Sequence, residues 1–409
     1  MFDSYRLSPH SRSRTFLSMS LLAKSIAQQS TEFDFSDPNA CQESDNFLSA
    51  NGNNVQALDF NDVHLGEQMV ITSLLYHLSG NLTCLKFNFV HQSPVMWSLL
   101  TRAFGRNLEE FALQGVVMNE NEVSGLVQHL QPKCLRRLSV HVSSLSSLHT
   151  LCNKFTQLTH LKCRTSANPD VSFCDVCPQL EQLDIAIDEE IYDLAWLSHR
   201  YSNAIVCPSL KSLRIEGLIN IDPQCLDVFH RFVSLQHLQM TTRTEEQLAA
   251  CLSCTPKLVS LSARTLSPVQ GTSTAMHFIN KMRQLESLSM DWPVVPFDKS
   301  TYWRFRSMPW VRHLTLNTFN LRDRQPEHVN EMFSCLPGIF PNLQTLDLTP
   351  AHSISAAQFS LKKLTSLQFV RILTSKSNVA EMSEFLSSHL GQGNFICQSC
   401  CEDPDDVGF

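Results

Sequence analysis

One apolar pattern recurs along this chain: Leu-x-x-Leu-x-apolar, where x is any residue. It is clear in "QLEQLDI" at residues 179–185 and returns in "SLKSLRI" and "SLQHLQM". A single occurrence carries no information, because leucine is common. The pattern recurs about every 26 residues, which predicts an architecture of stacked repeats. Its thirteen starts are Val55, Leu82, Leu108, Leu135, Leu158, Leu180, Leu210, Leu235, Leu258, Leu285, Val311, Leu343 and Leu364.

Each repeat unit is predicted to contain one short strand and one helix. In a strand, alternate side chains face opposite sides, so Leu183 and Ile185 are expected to point into the core. The segments between patterns, such as "CLDVFHRFV" and "EEQLAACLS", have apolar residues at three- and four-residue spacing, which is typical of helices. Pro178, Pro208 and Pro256 stand shortly before the next pattern, where proline would end the helix. Because one unit cannot bury its apolar face alone, neighbouring units must share a continuous core.

The sequence therefore predicts an α/β fold: a leucine-rich-repeat solenoid of about 13 units. The expected form is a curved horseshoe with a concave parallel sheet and convex helices. We expect three regions: an N-terminal arm over 1–50, partly disordered, with one short helix at about 15–29; the solenoid over 51–390; and an acidic Cys-containing tail over 391–409.

Composition excludes several classes of protein. The chain of 409 residues is 43% hydrophobic and 17% charged, as globular proteins are, and its net charge of −7 offers no general attraction to nucleic acid. No apolar run approaches the ~18–20 residues that a membrane-spanning helix needs. The fifteen cysteines are scattered through apolar segments, which favours a reducing compartment and a cytoplasmic or nuclear location. The alternative is a secreted protein with some disulfides, which the sequon at Asn81 would suit.

The first thirty residues allow a different cellular location. They are basic and rich in serine, and "TFLSMSLLAKSIA" fits an amphipathic helix of the kind found in mitochondrial targeting peptides. A poor signal peptide is the second interpretation, and a disordered arm with one short helix is the third. The mitochondrial interpretation predicts a leucine-rich-repeat assembly factor or scaffold.

The segments "CPQLEQLDI" and "CPSLKSLRI" resemble the Cys-Pro-x-Leu-x-x-Leu-x-Leu of cysteine-containing leucine-rich repeats. Such repeats run through F-box/leucine-rich-repeat proteins, the substrate receptors of cullin-RING ubiquitin ligases, and the resemblance covers about residues 51–390. It implies non-catalytic substrate recruitment and cullin-RING subunits as partners. An F-box is a helical module that opens with Leu-Pro, and residues 1–50 contain no such opening. Recruitment would then need a degenerate F-box-like helix at 15–29, a truncated gene model or another mode.

Partner binding is expected on the concave face, where the non-leucine strand residues lie. Basic residues gather there on successive strands and suit an acidic or phosphorylated protein segment, since guanidinium groups pair with carboxylates and phosphates. These partner-binding candidates are Arg137, His141, His160, Lys162, Arg164, Arg214, His237 and Arg264.

The stretch "DWPVVPFDKSTYWRFRSMPW" at 291–310 is a second candidate surface. It contains three of the five tryptophans, and Trp, Tyr and Arg are enriched at interface hot spots. The alternative is that these aromatic rings fill the convex side of the repeat and do not form a binding surface. The candidates in this stretch are Trp292, Tyr302, Trp303 and Arg304.

No catalytic, metal or cofactor site is predicted. Three Cys-x-x-Cys pairs begin at Cys174, Cys251 and Cys397, too far apart to form one zinc site, and the first two are interpreted as core residues. Nucleotide-binding, zinc-protease and serine-hydrolase motifs are missing from the sequence. The remaining alternative is a thiol or metal enzyme that uses "CQSCCEDPDD" at 397–406.

Overall fold

The computed structural model forms two compact units, Met1–Ser166 and Ala167–Phe409. We call them unit 1 and unit 2 and describe each by itself. The structure describes residues 18–22, 30–34, 46, 48–50, 55–61, 75–78, 82–88, 94–165, 177–187, 192–193, 208–221, 226–265, 274–291, 306–317, 334–351, 361–374, 376–391 and 393–399.

Unit 1 is built on a ladder of parallel strands in chain order. β3 pairs with β4, β4 with β5, β5 with β6 and β6 with β7, all in parallel. Two further strands precede the ladder, and β1 pairs antiparallel with both β2 and β3. The strands are β1 Ser18–Leu22, β2 Ser30–Asp34, β3 Ala57–Asn61, β4 Cys84–Asn88, β5 Glu110–Met118, β6 Arg137–Val142 and β7 His160–Thr165.

The helices of unit 1 alternate with these strands. Three that the structure describes in full are α1 Pro94–Phe104, α2 Glu120–His129 and α3 Leu145–Lys154. Each is about three turns long and contacts the helix of the neighbouring repeat, α1 with α2 and α2 with α3. Parallel neighbours require a crossover connection, and these helices supply it in three successive repeats.

Unit 2 continues the same design with more repeats. β8 pairs with β10 and the pairing then runs in chain order to β17, all in parallel, while the short β9 also pairs with β10. The strands are β8 Gln182–Ile187, β9 Tyr192–Asp193, β10 Ser212–Asn220, β11 His237–Thr242, β12 Ser260–Thr265, β13 Ser287–Asp291, β14 His313–Asn317, β15 Thr345–Ala351, β16 Phe369–Thr374 and β17 Phe395–Ser399. Helices of this unit in the described residues include α4 Leu226–Arg231, α5 Glu245–Cys254, α6 Thr274–Ile279 and α7 Lys376–Leu390.

The core follows the alternation that the repeated pattern predicts. In β6 and β7 every second residue is buried and the residues between them are exposed or half-buried. Three fully buried rings lie in contact across β3, β4 and β5: Phe60 and Phe87 stack with ring centroids 5.1 Å apart, and Phe87 meets Phe111 edge to face at 6.3 Å. Equivalent positions of successive repeats therefore share one apolar layer in each unit.

The α/β leucine-rich-repeat solenoid predicted from the sequence is confirmed. Twelve repeat strands begin two residues after the start of their pattern. The thirteenth repeat strand, β16, differs. Its first residue, Phe369, pairs with Thr345, and therefore its pattern starts at Leu367 and not at Leu364.

One further expectation is wrong. Residues 18–22 and 30–34 are strands, whereas the sequence suggested a helix at about 15–29. β1 adds to the edge of β3, and β2 pairs with β1, both in antiparallel fashion, in place of the helix. The expected tail over 391–409 contains β17, which extends the parallel ladder beyond β16.

Candidate functional site

Five basic or titratable side chains lie on two neighbouring strands of unit 1. Arg137 and His141 are on β6, and His160, Lys162 and Arg164 are on β7. The strands pair in parallel with Arg137 opposite His160 and His141 opposite Arg164, which leaves Lys162 opposite a serine. All five occupy the alternate positions between buried residues, so they share one face of the ladder. We call these five residues the basic patch.

The strand geometry fixes the size of the basic patch. Its residues lie at the first and fifth positions of β6 and at the first, third and fifth positions of β7. They extend about 13 Å along the strands, and neighbouring strands are about 4.8 Å apart. Arg137, Lys162 and Arg164 are exposed, while His141 and His160 are half-buried. This area matches about four residues of an extended peptide, which rises ~3.3 Å per residue.

One carboxylate, Glu110 on β5, lies beside the basic patch. Its Oε1 is 2.6 Å from Lys86 Nζ on β4 and its Oε2 is 3.4 Å from Arg137 Nη1 on β6. Burial by itself would raise the pKa of Glu110, but the Lys86 hydrogen bond and the charges of Lys86 and Arg137 outweigh it, so the pKa is lowered. Glu110 therefore stays ionised and engages Arg137 from one side.

His160 is held by its neighbour in the chain. Thr159 Oγ1 lies 3.1 Å from the carbonyl oxygen of Arg136 and donates to it, and the same hydroxyl is 2.9 Å from His160 Nδ1. Because a hydroxyl has a single proton, Nδ1–H of His160 donates to Thr159 and the other ring nitrogen is the acceptor in the neutral form. Protonation of His160 would turn this second nitrogen into a donor and add a positive charge to the basic patch.

Unit 2 holds the other three predicted residues: Arg214 on β10, His237 on β11 and Arg264 on β12, all exposed. Two acids accompany Arg214. Its Nε is 3.8 Å from Asp184 Oδ1, and its guanidinium also pairs with Glu216. The strand face around Arg214 therefore carries mixed charge.

The second candidate surface is not placed. Trp292, Tyr302, Trp303 and Arg304 lie outside the residues that the structure describes. The last tryptophan of that stretch, Trp310, is half-buried, and the Arg283 guanidinium carbon lies 4.4 Å from the centroid of its ring. Both residues line a polar cleft of about 350 Å³ at the amino ends of β13, β14 and β15, together with Glu286, Arg312 and Gln344. Sequence reasoning missed this cleft because it considered only residues within the strands, whereas Glu286, Arg312 and Gln344 each directly precede a strand.

The cysteines show no metal site in the described part of the chain. The nine cysteines that the structure describes are free thiols. No group of three or more His, Cys, Asp or Glu residues that could hold a metal ion occurs among the described residues. Nor is any of the helices described here long and apolar enough to cross a membrane.

Comparison with protein-family models gives no match, and neither does comparison with curated proteins. Among solved structures, the chain is similar to the leucine-rich repeat-containing protein LegL7 from Legionella pneumophila. The two are 12% identical, the alignment covers 83% of this chain and 98% of that chain, and the TM-score is 0.37.

Proposed function

We propose that this chain is a non-catalytic protein-recognition scaffold that binds an acidic or phosphorylated segment of a partner protein at the basic patch. The observation that carries the proposal is the register of β6 and β7, which sets five basic or titratable side chains side by side on one strand face. Stacked repeats of this kind offer an extended surface for a partner protein.

The chemistry of the basic patch favours an anionic partner. Lys and Arg only donate hydrogen bonds, and Arg can hold a carboxylate or phosphate through two parallel N–H groups. Lys162 and Arg164 are exposed on β7, so an extended segment crossing the strand face would meet both. Protonation of His141 or His160 would add positive charge to the basic patch.

A role in ubiquitin ligation is the finer form of this proposal. The Cys-Pro-x-Leu repeats support substrate recruitment to a cullin-RING ubiquitin ligase in the cytoplasm or nucleus. The strands at 18–22 and 30–34 give no support to an F-box-like helix at 15–29, so recruitment would use another surface. The alternative is a mitochondrial assembly factor or scaffold, which the basic, serine-rich N-terminus supports. Co-purification of cullin subunits with the intact protein separates these roles.

The direct test is binding of a labelled Glu-rich peptide, with and without one phosphoserine, measured by fluorescence anisotropy at low salt. We expect the wild-type protein to bind the phosphorylated form more tightly. The double substitution Lys162→Glu and Arg164→Glu should weaken binding at least about tenfold, because two attractions become repulsions. Added salt should weaken the wild-type complex, since exposed charges are screened.

The matched control is Arg102→Glu with Arg106→Glu. These two arginines are exposed in the same unit, and the double change alters net charge equally, but they lie at the end of α1 and in the turn after it. We expect peptide affinity to change little. Equal loss in both double variants would show that binding follows net charge only, and unchanged affinity in the Lys162 and Arg164 variant would reject the basic patch as the site.

A further inference from the structure

A thiol and an imidazole meet on the helical side of unit 2. Cys254 is the last residue of α5, and His230 is on α4, the helix of the preceding repeat. Cys254 Sγ lies 3.2 Å from His230 Nε2. The thiol is half-buried and the imidazole is exposed, so small molecules can reach the pair from solvent.

The structure separates two cysteines that the sequence treats alike. Cys251 is fully buried, in agreement with its interpretation as a core residue. Cys254 is three residues later in α5 and faces a different direction around the helix, where it reaches His230. The Cys-x-x-Cys spacing therefore joins one core thiol and one surface thiol, and the surface thiol has an imidazole beside it.

The hydrogen bonds of Cys254 suit proton transfer. Its Sγ is 3.3 Å from the carbonyl oxygen of Ala250, which can accept the thiol proton, and 3.2 Å from His230 Nε2, which can accept the same proton. The second arrangement leaves a thiolate beside an imidazolium, as in activated cysteines. The carboxyl end of a helix disfavours a negative charge, so α5 itself opposes the thiolate. His230 is the group that must supply the assistance.

We propose that Cys254 is a site of covalent modification by small electrophiles and peroxides, with His230 as its base. With a peroxide, Cys254 transfers its proton to His230 Nε2 and the sulfur attacks one peroxide oxygen. The S–O bond forms, the O–O bond breaks, and the leaving oxygen takes the proton from His230. The products are a cysteine sulfenic acid and water or an alcohol, and the peroxide is the oxidant.

The test compares cysteines within the full-length, reduced protein. It is exposed to limiting iodoacetamide near neutral pH, quenched with an isotopically heavy form of the reagent, digested and analysed by mass spectrometry. Cys134 is the internal reference: it is also half-buried, and its thiol has no polar partner in the described part of unit 1. We expect Cys254 to be alkylated about tenfold faster than Cys134. This factor is smaller than the rate acceleration that general bases give in enzymes.

The substitution His230→Gln tests the base. Glutamine keeps a polar side chain at this exposed position but cannot take the proton, so the rate at Cys254 should fall to that of Cys134. Buried Cys251 and Cys177 should stay unmodified in both proteins, which verifies that the variant is folded. Treatment with hydrogen peroxide and a sulfenic-acid probe should label Cys254 in the wild type and much less in the variant. Equal rates at Cys254 and Cys134 in the wild type, or a Cys254 rate that His230→Gln leaves unchanged, would overturn the proposal.

Discussion

Glu110 shows how single residues on the strand face are set by their neighbours. Its carboxylate joins Lys86 and Arg137 across three adjacent strands, and their hydrogen bond and charges hold its pKa below the ordinary value of 4.5 despite the opposing effect of burial. Because the pKa of Glu110 is lower in the folded state, its ionised carboxylate stabilises the fold at pH values above 4.5. This stabilisation is lost as the pH falls through the pKa of the folded state.

The substitution Glu110→Gln should therefore destabilise the protein at neutral pH and not in acid. At pH 7 the free energy of unfolding should fall by about 1 kcal/mol, the scale of a partly exposed ion pair. As the pH falls below the ordinary value of 4.5, the difference in urea midpoint between wild type and variant should shrink, because Glu110 becomes protonated in the wild type. Glu109→Gln is the control, since this exposed neighbour has no ion pair in the described structure. A difference between wild type and Glu110→Gln that is independent of pH would contradict the assignment.

Cys84 is the residue opposite Glu110 in the ladder, and its thiol should react slowly, whereas that of Cys254 should react fast. Burial, followed by the charge of Glu110, raises the pKa of the Cys84 thiol to about 12. Since the thiolate is the nucleophile, Cys84 should be alkylated more slowly than Cys134 at about pH 8. Glu110→Gln should speed the reaction only modestly, because burial is the larger cause. Rates at Cys84 that match those at Cys134 would contradict this prediction, and peptide mass spectrometry measures both.

The sequence located the basic patch and missed its acidic neighbour. The repeated pattern fixes which residues alternate out of the core, so Lys162 and Arg164 were correctly placed on the strand face. Glu110 has the same position in its own repeat as Arg137. Glu110 is directly opposite Arg137, but its contact with Lys86 runs diagonally between strands. How far each side chain reaches is not contained in the pattern.

At the scale of elements, α2 begins with a reciprocal cap. The Asn119 side-chain oxygen accepts hydrogen bonds from the backbone N–H groups of Asn121 and Glu122, at 3.0 and 3.1 Å, and Glu122 Oε2 accepts from Asn119 N at 2.8 Å. These bonds satisfy N–H groups that have no partner within the helix. The cap therefore fixes where the chain turns from β5 into α2.

Asn119→Ala should lower the free energy of unfolding by about 1 kcal/mol, the usual cost of losing such a cap. Chemical denaturation followed by circular dichroism would measure it. Asn121→Ala is the matched control, because Asn121 contributes only its backbone to the cap and alanine favours a helix. If both variants lost the same stability, the side chain of Asn119 would not be what holds this turn.

Elements near the ends of the chain were the hardest to predict. Residues 364–372 contain two overlapping patterns, one from Leu364 and one from Leu367, and apolar content alone does not choose between them. The structure selects the second, since Val370 and Ile372 are fully buried and Phe369 is half-buried on the other face. At 18–22, Met19 and Leu21 also alternate as a strand requires, so strand pairing with β3 overrides the helical interpretation.

At the scale of the whole molecule, the two units differ in the charge of their strand faces. In unit 1 the Arg137 guanidinium of the basic patch pairs with Glu110. In unit 2 the guanidinium of Arg214 is offset by Asp184 and Glu216. The repeated pattern conserves the apolar core and leaves these outward positions free, so the same architecture presents a basic surface in one unit and a mixed surface in the other.

This difference gives the most direct test of where a partner binds. Arg214→Glu with Arg264→Glu alters net charge as much as Lys162→Glu with Arg164→Glu, and all four residues are exposed on strands. Only the unit 1 variant should weaken binding of the phosphorylated Glu-rich peptide, by at least about tenfold. Glu110→Gln should have the opposite effect and strengthen binding, because it releases Arg137 and removes a repulsive charge. If the unit 2 variant lost affinity instead and Glu110→Gln changed nothing, the partner would lie along β10 to β12 and the basic patch would be only a solvated strand face.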